Sequence, residues 1–256
     1  MNIKRYRIII LSVIRQVFGI DTYYITASIE LNEWKKRMKK RPSIINKASK
    51  GVQNKINSML PDKYHEILTS AIKNMVRIVL SGSEYMTRKP DMLMSFEERE
   101  KLVKEKISFY KKTAMIEGAG TGAGGVLMGF ADFPLLLSIK IKFLYDVASI
   151  YGFDVRDYKE RLYILKIFQL AFSSQAAANK IFYEMENWNE LSKALPSSLE
   201  LFDWRGFQQE YRDYIDIAKL LQMVPGIGAI VGAYTNSKLL DKLGITAMNS
   251  YRMRIL

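Results

Sequence analysis

Cysteine is absent from this 256-residue chain, and histidine occurs once, as His65. Without cysteine there is no disulfide, no thiolate nucleophile and no Cys-type metal site. The absence fits a reducing compartment. One histidine excludes a His-rich metal centre and makes any Ser-His-Asp arrangement depend on His65 alone. That residue lies in a helical pattern over 62–80 whose apolar face is Ile67, Leu68, Ala71, Ile72, Met75 and Val76. It reads as an ordinary helix-surface histidine before it reads as a catalytic base. Proline is scarce, with six in the whole chain, and β-branched residues seldom alternate with polar ones. Long hydrophobic runs are missing near the N-terminus. Ile8–Ile14 spans seven residues between Arg7 and Arg15, where a membrane span needs about 20. No small-residue cleavage site follows it clearly. Residues 1–20 are therefore expected to be a basic amphipathic helix or a frayed leader.

What remains is 48% apolar and 25% charged, a balance for a globular chain able to bury a core. Leu, Ile, Met, Ala, Lys and Glu are frequent, and the prediction is all-α. The charge is uneven. Residues 1–113 hold 24 Lys and Arg against 11 Asp and Glu, whereas residues 114–256 hold 15 of each. An excess confined to the first part points that part toward an anionic partner: a phospholipid face, nucleic acid or an acidic protein. The densest basic run begins at Trp34 and comprises Lys35, Lys36, Arg37, Lys39, Lys40 and Arg41, before Pro42 stops the helix. Two readings stand side by side, a solvated helix end and an anion-facing patch. No nucleic-acid motif or exposed aromatic platform accompanies the charge, so nucleic acid is not favoured.

Punctuation along the chain predicts further helices. Pro61-Asp62 opens one, and Ser81-Gly82 closes it. Ser95 followed by Glu98 is a capping box for a charged helix to about Thr113. Gly152 separates Tyr151 from Asp154, which is expected to cap a helix through about Phe172. Ser197 with Glu200 is a second capping box.

Two uncharged Gly-rich stretches organise the rest. Gly118, Gly122, Gly125 and Gly129 are spaced 4, 3 and 4 apart, one stripe on a helix of about 3.6 residues per turn. Asp132-Phe133-Pro134 then interrupts. Leu220–Ser237 repeats the theme with Gly228 and Gly232, matching Gly125, Gly129 and Leu136-Leu137 at a constant offset of 103. The expectation is an internal pseudo-repeat of two Gly-rich helical hairpins, whose small residues let helices approach closely. Gly118–Ala131 would rise only about 21 Å, short of a hydrocarbon core about 30 Å thick. Buried hairpins are favoured over lipid-inserting ones. Gly120–Gly125 formally matches G-x-G-x-x-G, but a helical pattern precedes it rather than a strand, and no Walker sequence exists, so nucleotide binding is not favoured.

Candidate chemistry concentrates in Glu210, Arg212, Asp213 and Asp216, helical neighbours by spacing, with Asp132 and with Arg161 or Arg205 as prospective partners. Two carboxylates there could do acid–base work or hold a hard cation. The commoner arrangement is a structural ion-pair network, and no metal or cofactor is expected. Ser173-Ser174 lack a G-x-S-x-G context, which argues against a serine hydrolase.

Several stretches together resemble the EcsC family. They are Glu117-Gly118-Ala119, Thr121–Gly125, Ala131–Pro134, Tyr151-Gly152, Leu170–Ser174, Asp203-Trp204-Arg205, Glu210–Tyr214, Pro225–Ala229, Leu243-Gly244, Ala247-Met248 and Tyr251-Arg252. The resemblance covers about residues 27–254 and makes 27–256 an EcsC-like helical domain, with residues 1–26, which depart from the family's usual start, as a variable basic leader. It implies association with an ATP-binding-cassette exporter, made of an ATPase and a membrane subunit, and carries no reaction. The sequence thus predicts a cytoplasmic, non-enzymatic accessory protein, peripheral at the inner membrane face, with exporter subunits and an anionic surface as partners. The competing expectation is a hydrolase or other enzyme built on the 210–216 cluster.

Overall fold

The computed structural model describes residues 22–40, 62–81, 93–121, 133–173, 175–196, 201 and 229–256. Its elements are all helices: α1 Thr22–Met38, α2 Asp62–Ser81, α3 Phe96–Thr121, α4 Phe133–Tyr151, α5 Tyr158–Phe172, α6 Gln175–Glu186, α7 Trp188–Ala194 and α8 Ala229–Ile255. The all-α expectation holds.

Local chemistry sets the ends. At α3 the Ser95 backbone N–H donates to Glu98 Oε2 at 2.8 Å while the Glu98 N–H donates to Ser95 Oγ at 3.3 Å, the reciprocal pattern of a capping box. The bond from the Ser95 backbone lowers the Glu98 carboxyl below its ordinary value, helped by the Ser95 hydroxyl. The helix then runs past Thr113 to Thr121, through Ala114, Met115 and Ile116 and into the first residues of the Gly stretch. At the far end of α4, Gly152 adopts φ 97°. Its N–H reaches Ser149 O at 3.0 Å and that of Phe153 reaches Ala148 O at 3.0 Å, a Schellman cap that only glycine makes without strain. One expected cap is corrected. Asp157, not Asp154, caps α5, accepting from the Lys159 N–H at 2.9 Å. A turn from Asp154 O to the Asp157 N–H delays the helix start, and Asp154 is held by Arg156.

α5 is the axis of the bundle, with every residue but Lys159 buried. α3 and α8 form its most extensive helix pairing, antiparallel, because Lys111 meets Asp241 near one end and Glu100 meets Arg252 at the other. α4 also runs antiparallel to α3, joined by Tyr110 to Asp146 and Tyr151 to Glu100. α5 opposes α8 through Tyr163 to the Ser250 carbonyl and Glu160 to Arg254. Between these helices lie Phe143, Tyr145, Tyr163, Phe168, Phe172 and Tyr251, each below 2% exposed. α1 closes one side by burying Ala27, Leu31 and Trp34, and Trp34 meets Phe182 of α6 edge-on at 5.6 Å.

The close-approach glycine among the described residues is Gly244 on α8. A Cβ there would lie 2.7 Å from Cγ1 and Cδ1 of Ile107 on α3. Of the glycines expected to pack helices, Gly118 is in the last turn of α3 and Gly232 in the first turn of α8. Gly122, Gly125, Gly129 and Gly228 lie outside the described residues, and so does most of the proposed repeat. Its Leu136-Leu137 and Leu239-Leu240 pairs are all buried. They occupy different positions, since α4 begins at Phe133 whereas α8 continues without interruption from Ala229 through Leu240.

Candidate functional site

Of the proposed acid–base residues, Asp132, Glu210, Arg212, Asp213 and Asp216 all lie outside the described residues. Arg161, one of their prospective partners, is inside them and otherwise engaged. Its guanidinium donates to the carbonyls of Leu80 at 3.0 Å, Val155 at 3.3 Å and Arg156 at 2.6 Å. Leu80 is in the last turn of α2, where carbonyls lack helical donors and a cation is favourable.

The buried charges that the structure does bring together are two Glu–Arg pairs at the C-terminal end of α8. Glu100 of α3 is fully buried. Its carboxylate receives Arg252 Nε at 2.6 Å and Nη2 at 2.5 Å, Tyr151 Oη at 2.9 Å and Tyr23 Oη at 2.8 Å. Arg252 also reaches Glu30 of α1 at 3.0 Å. Burial pushes the Glu100 carboxyl up, but the bidentate arginine and two phenols outweigh it and hold it below its ordinary value. The three side chains thereby tie α1, α3, α4 and α8 at one point.

Glu160 of α5 makes the second pair. It accepts from Tyr251 Oη at 2.7 Å and from Arg254 Nη1 at 2.6 Å. The Arg254 guanidinium also covers the rings of Phe153 at 3.8 Å and Tyr163 at 4.5 Å. With fewer donors than Glu100, this carboxyl is dominated by burial and lies above its ordinary value, although Arg254 opposes the shift. Tyr151 and Tyr251 stack at 5.3 Å and link the two pairs. Both phenols are raised, by burial first and by the neighbouring carboxylates second. Saturated, enclosed ion pairs of this kind hold helices together and offer no free acid or base.

Lys140 is different. It sits in the middle of the buried face of α4, near Leu136, Leu144 and Val147 by helical spacing, and is fully buried. Its Nζ has no hydrogen-bond partner among the described residues. Burial lowers its pKa to about 8. A partly neutral amine is a chemical resource, but nothing described opens a path to this one. Also among the described residues, no three His, Asp or Glu side chains converge as a metal site.

The basic run divides by orientation. Lys35 and Lys39 lie 3.4 Å and 2.9 Å from the Glu186 carboxylate of α6, and Lys39 also overlies the Phe182 ring at 5.7 Å. Lys36, Arg37 and Lys40 are exposed, with no carboxylate in ion-pair range among the described residues. Arg41 lies outside them. The buried neighbour Trp34 faces the other way, into a half-open cleft of about 540 Å³. Trp34 and Met38 of α1, Leu170 of α5 and Ala178 of α6 give it an apolar lining, and α8 supplies Lys238 and Lys242.

The sequence model described as the EcsC protein family matches residues 26–256. The chain belongs to the EcsC family. It is 47% identical over 228 residues to Protein EcsC of Bacillus subtilis (strain 168), covering 89% of this chain and 94% of that protein. It is 33% identical over 141 residues to Uncharacterized protein YdbA of the same organism, covering 55% of this chain and 52% of that one. No solved structure matches.

Several stretches that carry the EcsC resemblance acquire a physical role. Tyr151-Gly152 supplies a phenol to Glu100 and the left-handed cap of α4. Leu243-Gly244 gives α3 its close approach. Tyr251-Arg252 delivers one group to each buried carboxylate. Sequence reasoning missed Glu100, Glu160 and Arg254 as a set. The available signal was Tyr251, Arg252 and Arg254 on an otherwise apolar helix end, where cations need carboxylates.

Proposed function

We propose that this EcsC-family chain is a non-enzymatic accessory protein that docks peripherally on an anionic phospholipid face, and that it serves an ATP-binding-cassette exporter. The observation that carries the docking is the outward set Lys36, Arg37 and Lys40 at the end of α1, exposed and without described carboxylate partners. Each basic residue near such a surface contributes up to about 1 kcal/mol. Trp34 and Leu31 anchor the helix that presents them. Among the described residues no helix is long and apolar enough to cross a membrane, which is compatible with a protein that lies on one. The engagement of Glu100 and Glu160 by arginine and tyrosine supports a structural use of the buried charge over catalysis. The exporter association rests on the family resemblance alone.

The test is fractionation of cells into soluble and membrane pools, with salt and carbonate washes and identification of co-purifying proteins. The expected result is a membrane-bound pool released by salt, together with exporter subunits recovered under mild conditions. A pool that resists both washes contradicts peripheral docking, and recovery without exporter subunits contradicts the association.

A further inference from the structure

The outward cations at the end of α1 share their surface with an aromatic ring. Lys39, in the same basic run as Lys36, Arg37 and Lys40, leans onto α6, where its ammonium is 2.9 Å from the Glu186 carboxylate. It also stands 5.7 Å from the Phe182 ring and 6.0 Å from the Tyr183 ring. Phe182 is fully buried, whereas Tyr183 is 48% exposed. Phe182 backs Tyr183 edge-on at 5.8 Å. Ala178, Ile181 and Met185 bury the inner face of the same helix, so α6 holds the ring in place beside the cations. Two other aromatic side chains are comparably exposed among the described residues, Tyr24 and Phe109. The Tyr24 hydroxyl is tied to the Ile255 carbonyl at 3.0 Å. Phe109 lies on α3 among charges of both signs, with Glu105 and Lys112 exposed one turn to either side. Of the three, Tyr183 is the one that adjoins the outward cluster of α1.

A ring with a polar hydroxyl, flanked by lysine and arginine, suits the headgroup layer of a bilayer, where the ring meets the first acyl carbons and the hydroxyl stays hydrated. An exposed aromatic by itself carries no such meaning; here charge complementarity names the occupant. The acids beside Tyr183, Glu184 and Glu186, are met by Lys166 and by Lys35 with Lys39, so the local balance stays positive. We infer that Tyr183 is the interfacial anchor of the docking surface. α1 and α6 together face an anionic phospholipid bilayer, with Lys36, Arg37 and Lys40 at the headgroups and the Tyr183 ring entering between them. The inference rests on the docking reading and deepens it: it adds an apolar contribution that salt does not screen, and it names a second helix that touches lipid. Half a ring is too small to hold the chain alone, so the cations bring the surface to the bilayer and the ring secures it.

The experiment uses the full chain with phosphatidylglycerol vesicles at low salt. Tyr183→Ser should weaken binding by at least about fivefold, from the apolar area lost at the interface, with a melting curve like the parent's. Tyr183→Phe should keep most of the binding. The Tyr183→Ser loss should be the same factor at intermediate salt, whereas the Lys36, Arg37 and Lys40 triple variant should show a shallower salt dependence. Because the chain has no cysteine, Tyr183→Cys accepts a single environment-sensitive fluorophore. Its emission should shift to the blue when vesicles are added, while the same label on Ser108→Cys, exposed on α3, should not respond. If Tyr183→Ser melts lower than the parent, the two labels decide. Binding by folded Tyr183→Ser equal to the parent's, a silent label at position 183, or an equal response of both labels overturns the inference and leaves the docking reading standing. A parent that ignores the vesicles overturns both.

Discussion

Toward its C-terminus α8 carries Tyr251, Arg252 and Arg254 into rings and carboxylates of α3, α4 and α5. At the end of α1, Lys36, Arg37 and Lys40 face outward. Both regions gather cations at the C-terminal end of a helix. At the first, each arginine meets a buried glutamate. At the second, the cations are exposed, with no carboxylate in ion-pair range among the described residues. The difference separates charge that fixes helix positions from charge available to a partner. It also separates where mutation should unfold the protein from where it should change only what the protein binds.

Within the closed region the two carboxylates are not equivalent, and the largest expected effect tests that. Glu100→Gln leaves Arg252 buried with only Glu30 to meet it, and breaking such a pair costs about 3–5 kcal/mol. Glu160→Gln should cost less. Burial already favours the protonated form there, which a neutral amide imitates, and Arg254 is nearer solvent. Urea unfolding of both variants measures the gap; equal losses would merge the two pairs into one class. The acid limbs should differ in sign. Glu100 is lowered in the fold, so its contribution is present above its ordinary carboxyl pKa of 4.5 and is lost as pH falls through the folded value. Glu160 is raised, so its burial penalty is relieved as pH falls through its folded value toward 4.5.

Lys140 gives the next effect. Its pKa falls from 10.5 to about 8 on folding. The unfolded chain then binds more protons between those values, so stability should rise as pH increases from about 8 to about 10.5. Below pH 8 the full penalty applies, on the order of 2–4 kcal/mol for a shift of that size. Lys140→Met should melt higher than the parent at pH 7 and show a flatter alkaline limb. A variant that melts lower at pH 7 would mean the ammonium has a stabilising partner.

Gly244 should give a smaller loss. Gly244→Ala gains helix propensity of about 1 kcal/mol but drives Cβ against Ile107, and overpacking of this kind costs about 1–3 kcal/mol. The expected net is a mild destabilisation, reversed when Ile107→Ala opens the space. A double-mutant cycle by thermal melts checks it; additive effects would contradict the contact. The smallest stability effect belongs to the open region. Lys36→Gln, Arg37→Gln and Lys40→Gln together should stay within about 0.5 kcal/mol of the parent while weakening vesicle binding.

Local chemistry was legible in the sequence. The capping box at Ser95 and Glu98, the stop at Gly152, the α2 pattern with Ala71, Ile72, Met75 and Val76 buried, and the end of α5 at Phe172 all reflect interactions within a few residues. Spacing alone does not distinguish Asp154 from Asp157 as the cap of α5. The pairing of Glu100 with Arg252 spans 152 positions, beyond any periodicity. A run of like charge likewise does not reveal that Lys35 and Lys39 meet Glu186 while Lys36, Arg37 and Lys40 do not. Gly244 lacks the repeated spacing of Gly118, Gly125 and Gly228, yet its close approach to Ile107 is the one seen among the described residues. The charged run at 210–216 lies outside the described residues.

The most direct test of the account is co-sedimentation of the full chain with phosphatidylglycerol and with phosphatidylcholine vesicles at low and high salt. Exposed charges are screened within about 10 Å at 0.1 M salt and about 3 Å at 1 M. The account predicts binding to the anionic vesicles, loss of that binding at high salt, and a marked reduction in the Lys36, Arg37 and Lys40 triple variant with its melting curve unchanged. Equal binding to both vesicle types, or binding by the folded triple variant indistinguishable from the parent, would contradict it.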